Sequence, residues 1–334
     1  MSEHFIREIE IKNFKCFNDF KADGFGRVNL IGGKNNVGKT AFMEAIFLAS
    51  DIKSIDSIDF INSFFVIETL REVLKSYSGE MLVLEIIKVF EKYQNIEIKT
   101  KDFYIHLEIQ KDMLQDKFLI NGKDSRVSRK LSNDFFINSY ELWNFIPSYI
   151  IGNKLIFSIF NQIKKQRKKT QLNNILKQFD NNILEFEIID NQPQVFLDSS
   201  QKFQNILELG HGLKRYIVII ASILINRDGF LFLDEIENGI HHSQLDKLWN
   251  IILTISKEQN VQVFATTHSE ECIKALVTAN KEDVKTYQPK EPILENNEIK
   301  FIELGIVDGK VDSIIFDFKE LENEVEQNME IRGW

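Results

Sequence analysis

Gly33-Lys34-Asn35-Asn36-Val37-Gly38-Lys39-Thr40 is the stretch from which the rest of this chain is read. It satisfies G-x-x-x-x-G-K-[ST] in full, a pattern whose physics is phosphate binding. Glycines let successive backbone N–H groups curl around phosphate oxygens, and a helix starting at the end of the loop favours the negative charge. In such a loop Lys39 reaches the β and γ phosphates and Thr40 offers its hydroxyl to Mg²⁺. The nucleotide-contacting candidates are therefore Gly33, Lys34, Asn35, Asn36, Val37, Gly38, Lys39 and Thr40, with Ala41 opening the helix. The flanks agree with the motif. Arg27-Val28-Asn29-Leu30-Ile31 is a short apolar run leading into Gly32-Gly33 and reads as a buried strand. Phe42, Ala45, Ile46 and Ala49 recur at helical spacing, so a helix is expected over Thr40–Ala49. Further upstream, Phe5–Lys12 carries Ile9 and Ile11 alternating with charge, the pattern of a half-buried strand.

A second zone of signals begins near Leu207. Leu213–Asn226 is nearly all apolar and reads as a buried helix. Its opening, Gly210-His211-Gly212-Leu213-Lys214-Arg215, is a glycine-rich turn at a helix N-terminus, a geometry that suits an anion. Gly229–Leu233 is an apolar strand that runs into Asp234-Glu235. Downstream of a phosphate loop, Asp234 suits Mg²⁺, directly or through water, and Glu235 suits taking a proton from an attacking water. His241–Lys257 places Leu245, Leu248, Trp249, Ile252 and Ile255 on one face of an amphipathic helix. Val261–Ala265 is another strand, with His268 just beyond it in Ala265-Thr266-Thr267-His268-Ser269. Strand, helix and strand joined by short connections imply a parallel sheet, whose ligands sit at the carboxyl ends of its strands.

These pieces together resemble an ABC-type ATPase head, as in the SMC and RecF proteins. Leu233-Asp234-Glu235-Ile236-Glu237-Asn238-Gly239-Ile240-His241 followed by Phe264-Ala265-Thr266-Thr267-His268-Ser269 resembles the OLD-type group of AAA ATPases found in bacterial anti-phage and abortive-infection systems. The likeness is dense over Phe5–Ala49 and Ile206–Ala275 and thin between. It implies an α/β P-loop NTPase of ABC/SMC-head type, a mixed sheet flanked by helices with an α+β insertion. Residues 1–50 and 206–334 would form one head split in sequence. Residues 51–205 would add remaining head strands and a compact insertion. The resemblance makes ATP and Mg²⁺ the ligands, Glu235 the catalytic base, Asp234 with Thr40 the magnesium ligands and His268 the switch that senses the γ-phosphate. It makes Gly210, His211, Gly212 and Lys214 the signature motif, which in ABC-type dimers closes over ATP on the opposite subunit. A homodimer that sandwiches nucleotide, or a higher oligomer, is the implied assembly. The signature departs from Leu-Ser-Gly-Gly: Gly210 stands at the serine position and His211 at the first glycine. Gln110, ending an expected strand, is the one candidate for the glutamine loop of ABC heads.

Length and composition bound the alternatives. The chain has 334 residues, 43% of them hydrophobic, with two cysteines and a net charge of −9. Wholesale disorder and a disulfide scaffold are excluded. An acidic balance argues against a surface coated in positive charge for nucleic acid. Lys164-Lys165-Gln166-Arg167-Lys168-Lys169, expected on a helix, is the one dense basic run, to be read as a phosphate contact or as a solvated helix face. The N-terminus has no apolar leader, and the longest apolar stretch, Tyr216–Ile225, is far short of a bilayer span, so a cytoplasmic protein without a membrane anchor is expected. No heptad arm of SMC type is visible. Full OLD nucleases continue into a TOPRIM domain, and with 334 residues in the sequence a chain without that domain is expected. Asp308-Gly309, between Lys300–Ile306 and Val311–Phe316, reads as a hairpin turn. The expectation is a sensor or scaffold ATPase of a defence system, working with a separate effector chain such as a nuclease. The alternatives are a RecF-like repair ATPase that binds DNA itself and the ATPase subunit of a membrane transporter. In the middle, Leu70, Val73 and Leu74, then Leu84, Ile87 and Phe90, suggest helices. Asn95–Thr100, Tyr104–Gln110, Asn182–Asp190 and Val195–Leu197 suggest strands, and Asn121-Gly122 a turn.

Overall fold

The computed structural model describes residues 4–51, 96–101, 104–112, 115–121, 126–130, 144–148, 152–286 and 288–327. The helical signals at Leu70–Leu74 and Leu84–Phe90, and Gly122 of the expected turn, lie outside the described residues. The first strands, β1 (Glu8–Phe14), β2 (Phe17–Asp23) and β3 (Val28–Gly33), lead into helix α1 (Lys39–Asp51). Strands β4 (Ile96–Lys99), β5 (Tyr104–Asp112), β6 (Gln115–Asn121), β7 (Arg126–Lys130) and β8 (Phe145–Ile146) precede helices α2 (Asn153–Lys165) and α3 (Lys169–Phe179). Then come β9 (Ile183–Ile189), β10 (Gln192–Leu197), β11 (Lys202–Asn205), α4 (His211–Ile225), β12 (Phe230–Leu233) and α5 (Leu245–Gln259). The last elements are β13 (Gln262–Thr266), α6 (Glu270–Lys281), β14 (Ile299–Val307), β15 (Lys310–Asp317) and α7 (Phe318–Glu326).

The central sheet has the order β15-β14-β3-β13-β12-β8 and is parallel from β14 to β8, with β15 antiparallel at the edge. Because β3, β12 and β13 are covered on both faces, every residue in them is buried, which is why they read as unbroken apolar runs. A second sheet, β2-β1-β4-β5-β6-β7, is wholly antiparallel. Helix α1 lies between these two sheets. Phe42 meets Phe17, Phe20 and Phe25 of the antiparallel side, while Phe47 meets Phe145 and Phe232 of the central sheet. A helix covered from two sides is apolar all round, as its residues from Ala41 to Ala49 are, Glu44 excepted. Glu44 is paired with Lys15 of the β1–β2 turn at 2.6 Å.

The other face of the central sheet carries α4, α5 and α6, with α2, α3 and the antiparallel β11-β10-β9 sheet packed outside α4. The expected buried helix is α4, whose residues from Tyr216 to Leu224 are at most 2% exposed. The Asp308-Gly309 turn closes β14–β15, with Val307 opposite Lys310 and both turn residues at positive φ (50° and 76°). Residues Asp190 and Asn191, at φ 50° and 56°, close β9–β10 the same way.

The basic run is not on one helix. Lys164 and Lys165 end α2, Arg167 turns the chain at φ 55°, and Lys169 begins α3. Much of its charge is engaged within the fold. Lys164 pairs with Glu187 at 2.7 Å and Lys169 with Glu185 at 2.6 Å. Lys168 donates to the Leu224 carbonyl and to Gln259 Oε1. No described helix is long and apolar enough to cross a membrane.

Candidate functional site

The Gly33–Thr40 loop joins the carboxyl end of β3 to α1. Its glycines are required by close approach as well as by φ. At Gly33, φ 135°, a Cβ would stand 2.4 Å from the Leu304 carbonyl oxygen of β14. At Gly38, φ 101°, it would stand 2.4 Å from Cys16 Sγ of the β1–β2 turn. Val37 anchors the loop by turning its side chain into the core beside α1. Lys39 Nζ donates to the carbonyls of Gly33 (2.7 Å) and Lys34 (2.8 Å), curling the loop around its own ammonium. Burial pulls the Lys39 pKa down to about 8, against the opposing fields of Glu235, Glu237 and Asp234.

The carboxylates arrive from the ends of the adjacent strands. Asp234 follows β12 and is buried; its Oδ1 accepts from Thr40 Oγ1 at 3.0 Å and from Thr266 Oγ1 at 2.8 Å. Thr266 ends β13, and its hydroxyl also accepts from the Glu235 backbone N–H at 2.8 Å. Glu235 has φ 47°, a left-handed conformation that a residue with a Cβ adopts only when its surroundings hold it. Arg215 of α4 helps to hold it. The guanidinium, buried beneath the turn, donates to the carbonyls of Asp234 (2.6 Å), Glu235 (2.9 Å) and Pro147 (2.7 Å). Glu235 Oε1 stands 3.7 Å from His268 Nε2. Asn238 Nδ2 reaches the Ser148 carbonyl at 2.7 Å and Glu235 Oε2 at 3.4 Å. Asn35, Asn36, Gly38, Lys39, Thr40, Ala41, Glu235, Glu237, Asn238 and His268 together line one open cleft of about 890 Å³. The phosphate loop, both carboxylates and His268 are thus brought to one place from β3, β12 and β13.

The expected signature residues are elsewhere. Gly210, at φ 101°, precedes α4, and Gly212 lines a separate cavity of about 840 Å³ with Leu213, Gly239 and Ile240. A Cβ on Gly212 would lie 2.5 Å from the Gly239 carbonyl oxygen, so the turn before α4 rests directly on the segment that follows Glu235. Lys214 is 6% exposed, and burial pulls its pKa down. His211 opens α4. Gly210, Gly212 and Lys214 are not among the residues that line the cleft of Lys39 and Glu235. Gln110 is not at a strand end: β5 continues to Asp112, and Gln110 pairs with Lys117 of β6 inside the antiparallel sheet.

Residues 28–273 match the family model described as "AAA domain, putative AbiEii toxin, Type IV TA system". The chain belongs to this AAA family. A Helicobacter pylori protein described as an ATP/GTP phosphatase is 25% identical over 342 residues, spanning 85% of this chain and 91% of its own. Two solved SMC heads share the fold. One, bound to the C-terminal winged-helix domain of ScpA, superposes with a TM-score of 0.53 at 13% identity, covering 94% of this chain and 99% of the head. The other carries an extended coiled coil bound to the C-terminal domain of ScpA derived from Pyrococcus furiosus. It gives a TM-score of 0.52 at 10% identity, covering 97% and 99%. This AAA chain is therefore an α/β P-loop NTPase with the fold of an SMC head.

Four residues that shape the AAA site were not among those singled out from sequence. Arg215 had a signal, being a cation inside a helix otherwise apolar from Tyr216 onward. Thr266, Asn238 and Glu237 stand inside the two stretches that carry the OLD-type resemblance, but that likeness gave them no role, since Thr266, Glu237 and the Asn238–Ser148 bond act on partners remote in sequence.

Proposed function

We propose that this AAA protein hydrolyses ATP in the cleft between Lys39 and His268. The observation that carries the reading is the 3.0 Å contact between Thr40 Oγ1 and Asp234 Oδ1, flanked by Glu235 and His268 at 3.7 Å. A hydroxyl and a carboxylate are the hard oxygen donors that suit Mg²⁺. Thr40 and Asp234 would hold Mg²⁺, which when bound neutralises charge on the phosphates. Backbone N–H groups of Lys34–Thr40 would cradle the phosphates, and Lys39 would turn from its loop carbonyls to the β and γ oxygens. Glu235 Oε1 would accept a proton from the attacking water. His268 would sense the γ-phosphate beside it. The H. pylori relative described as an ATP/GTP phosphatase supports hydrolysis here.

The wider reading is a head split between residues 1–50 and 206–334, with 51–205 supplying further head strands and an insertion. Because Gly210, Gly212 and Lys214 stand apart from their own cleft, a head-to-tail dimer would bring this signature turn to the nucleotide of a second copy. A toxin of a toxin–antitoxin system in the family description supports an anti-phage sensor or scaffold role. SMC heads solved with ScpA domains support a separate partner chain. The test is Glu235→Gln. It is expected to retain ATP binding and lose hydrolysis by about 10²- to 10⁴-fold. Turnover at the wild-type rate would remove Glu235 as the base.

A further inference from the structure

Glu237 lines the cleft and faces Lys39 but takes no proton in the chemistry above, yet it is placed to govern that chemistry. The chain leaves β12 through Asp234, reverses at Glu235 with φ 47°, and buries Ile236 fully. Ile236 N–H donates to the Thr266 carbonyl at 3.0 Å, which ties this turn to the end of β13. Glu237 therefore emerges beneath the segment that carries His268. Its Oε1 accepts the His268 backbone N–H at 2.8 Å. Its Oε2 is buried and has no hydrogen-bond partner. The bond from the His268 backbone gives this carboxylate a structural role.

The neighbouring residues show what that role is. Thr267 N–H is held by the Ile31 carbonyl of β3 at 3.0 Å, and Ser269 caps α6 by accepting from Cys272 N–H at 3.2 Å. Between them, His268 has its backbone bond to the Glu235–Glu237 turn and not to its own sheet or helix. The same turn carries Glu235, whose Oε1 faces the His268 ring at 3.7 Å. One short loop thus sets both partners of that pair, Glu235 by its own backbone and His268 through the Glu237 carboxylate.

We infer that Glu237 is a positioning residue, a tether from the Glu235 turn to the His268 backbone that fixes the His268 ring against Glu235. The inference rests on the hydrolysis reading above and deepens it. It predicts an effect on chemistry through His268 that Glu237→Gln spares, whereas loss of the negative field at Lys39 is common to Glu237→Ala and Glu237→Gln.

Glu237→Ala is expected to lower kcat by about 10- to 100-fold, the scale of a misplaced reacting group, with any change in KM shared by Glu237→Gln, which removes the same charge. Glu237→Gln keeps a carbonyl acceptor for the His268 N–H and is expected to restore kcat to within about three-fold of wild type. In a His268→Ala background, Glu237→Ala is expected to cost nothing further, the non-additivity of two residues acting as one. Hydrogen exchange across the peptide containing His268 reads the tether directly, without turnover. Exchange should quicken in Glu237→Ala and stay slow in Glu237→Gln. Wild-type kcat in Glu237→Ala, losses that multiply with His268→Ala, or unchanged exchange would each overturn the inference. The hydrolysis reading fails separately, through wild-type turnover by Glu235→Gln, and the exchange result still judges the tether.

Discussion

Thr266→Val is the sharpest test of how the carboxylate turn is built. The Thr266 hydroxyl does two jobs at 2.8 Å each, donating to Asp234 Oδ1 and accepting from the Glu235 N–H. The residue is 1% exposed, and valine keeps its shape while removing both bonds. A hydrogen bond to a carboxylate is worth about 1.5–3 kcal/mol, and a backbone N–H left unpaired costs about 1–3 kcal/mol. Asp234 keeps its bond from Thr40, and Glu235 is open enough for water to reach, so the lower half of that range applies. The expected loss is about 2.5–4 kcal/mol of unfolding free energy. Thr266→Ser keeps the hydroxyl, loses one methyl and should cost only about 1 kcal/mol. Relaxation of Glu235 from its left-handed conformation should also slow single-turnover hydrolysis by about ten-fold or more, equivalent to about 1.4 kcal/mol. Urea unfolding of the two variants side by side gives the first quantity, and rapid-quench ATP hydrolysis the second. A valine variant as stable and as fast as the serine variant would refute the reasoning, because the two differ in the hydroxyl that the turn is argued to need.

Nucleotide affinity should fall as pH rises. Burial holds Lys39 at about 8 and phosphate binding needs its ammonium, so the charged fraction drops from about 0.9 at pH 7 to about 0.1 at pH 9. About ten-fold weaker ATP binding across that window is expected by fluorescence titration, and a flat profile would contradict the Lys39 assignment. Gly212→Ala puts a Cβ 2.5 Å from the Gly239 carbonyl oxygen and should push the α4 turn away from the segment after Glu235. ATP binding by the monomer should be unchanged while ATP-dependent self-association and turnover weaken; size-exclusion chromatography with Glu235→Gln as the reference would show otherwise if the contact is idle. Of the two thiols, Cys16 is exposed, whereas Cys272 is fully buried and desolvation pushes its pKa well up. Native alkylation should mark Cys16 and spare Cys272 until the protein unfolds, and equal labelling would place Cys272 wrongly.

Motif and periodicity carried the reading of the central sheet a long way. β3, β12, β13, α1 and α4 were each legible because burial on two faces leaves an unbroken apolar run. Their residues in the phosphate loop and after β12 were legible because their chemistry is tied to local spacing. The strand β8, only Phe145–Ile146, carries too little sequence to be read, yet it completes the sheet beside β12. β2 was missed because Asn18, Asp19 and Lys21 give it a polar look, while Phe17 and Phe20 turn inward against Phe42. The Lys164–Lys169 run was misjudged as one helix because charge density does not reveal a turn. Arg167 supplies that turn with a positive φ that nothing local announces.

The orientation of the site was illegible for a deeper reason. Apart from the local bonds of Asn238, the groups that set Glu235 come from other parts of the chain: Thr266 from β13, Arg215 from α4, and His268 from beyond β13. A sequence motif records the residue that reacts and its neighbours along the chain. It does not record which hydroxyl or guanidinium from a parallel neighbour holds that residue in place. In a parallel sheet the carboxyl ends of adjacent strands are separated by whole helices in sequence but by one strand spacing in space. The chemistry of such a site is therefore visible along the chain, while its geometry becomes visible only across it. Substitutions at Thr266, Arg215 and Glu237 should accordingly separate two properties that substitutions at Lys39 or Glu235 confound: having the reactive groups, and having them held.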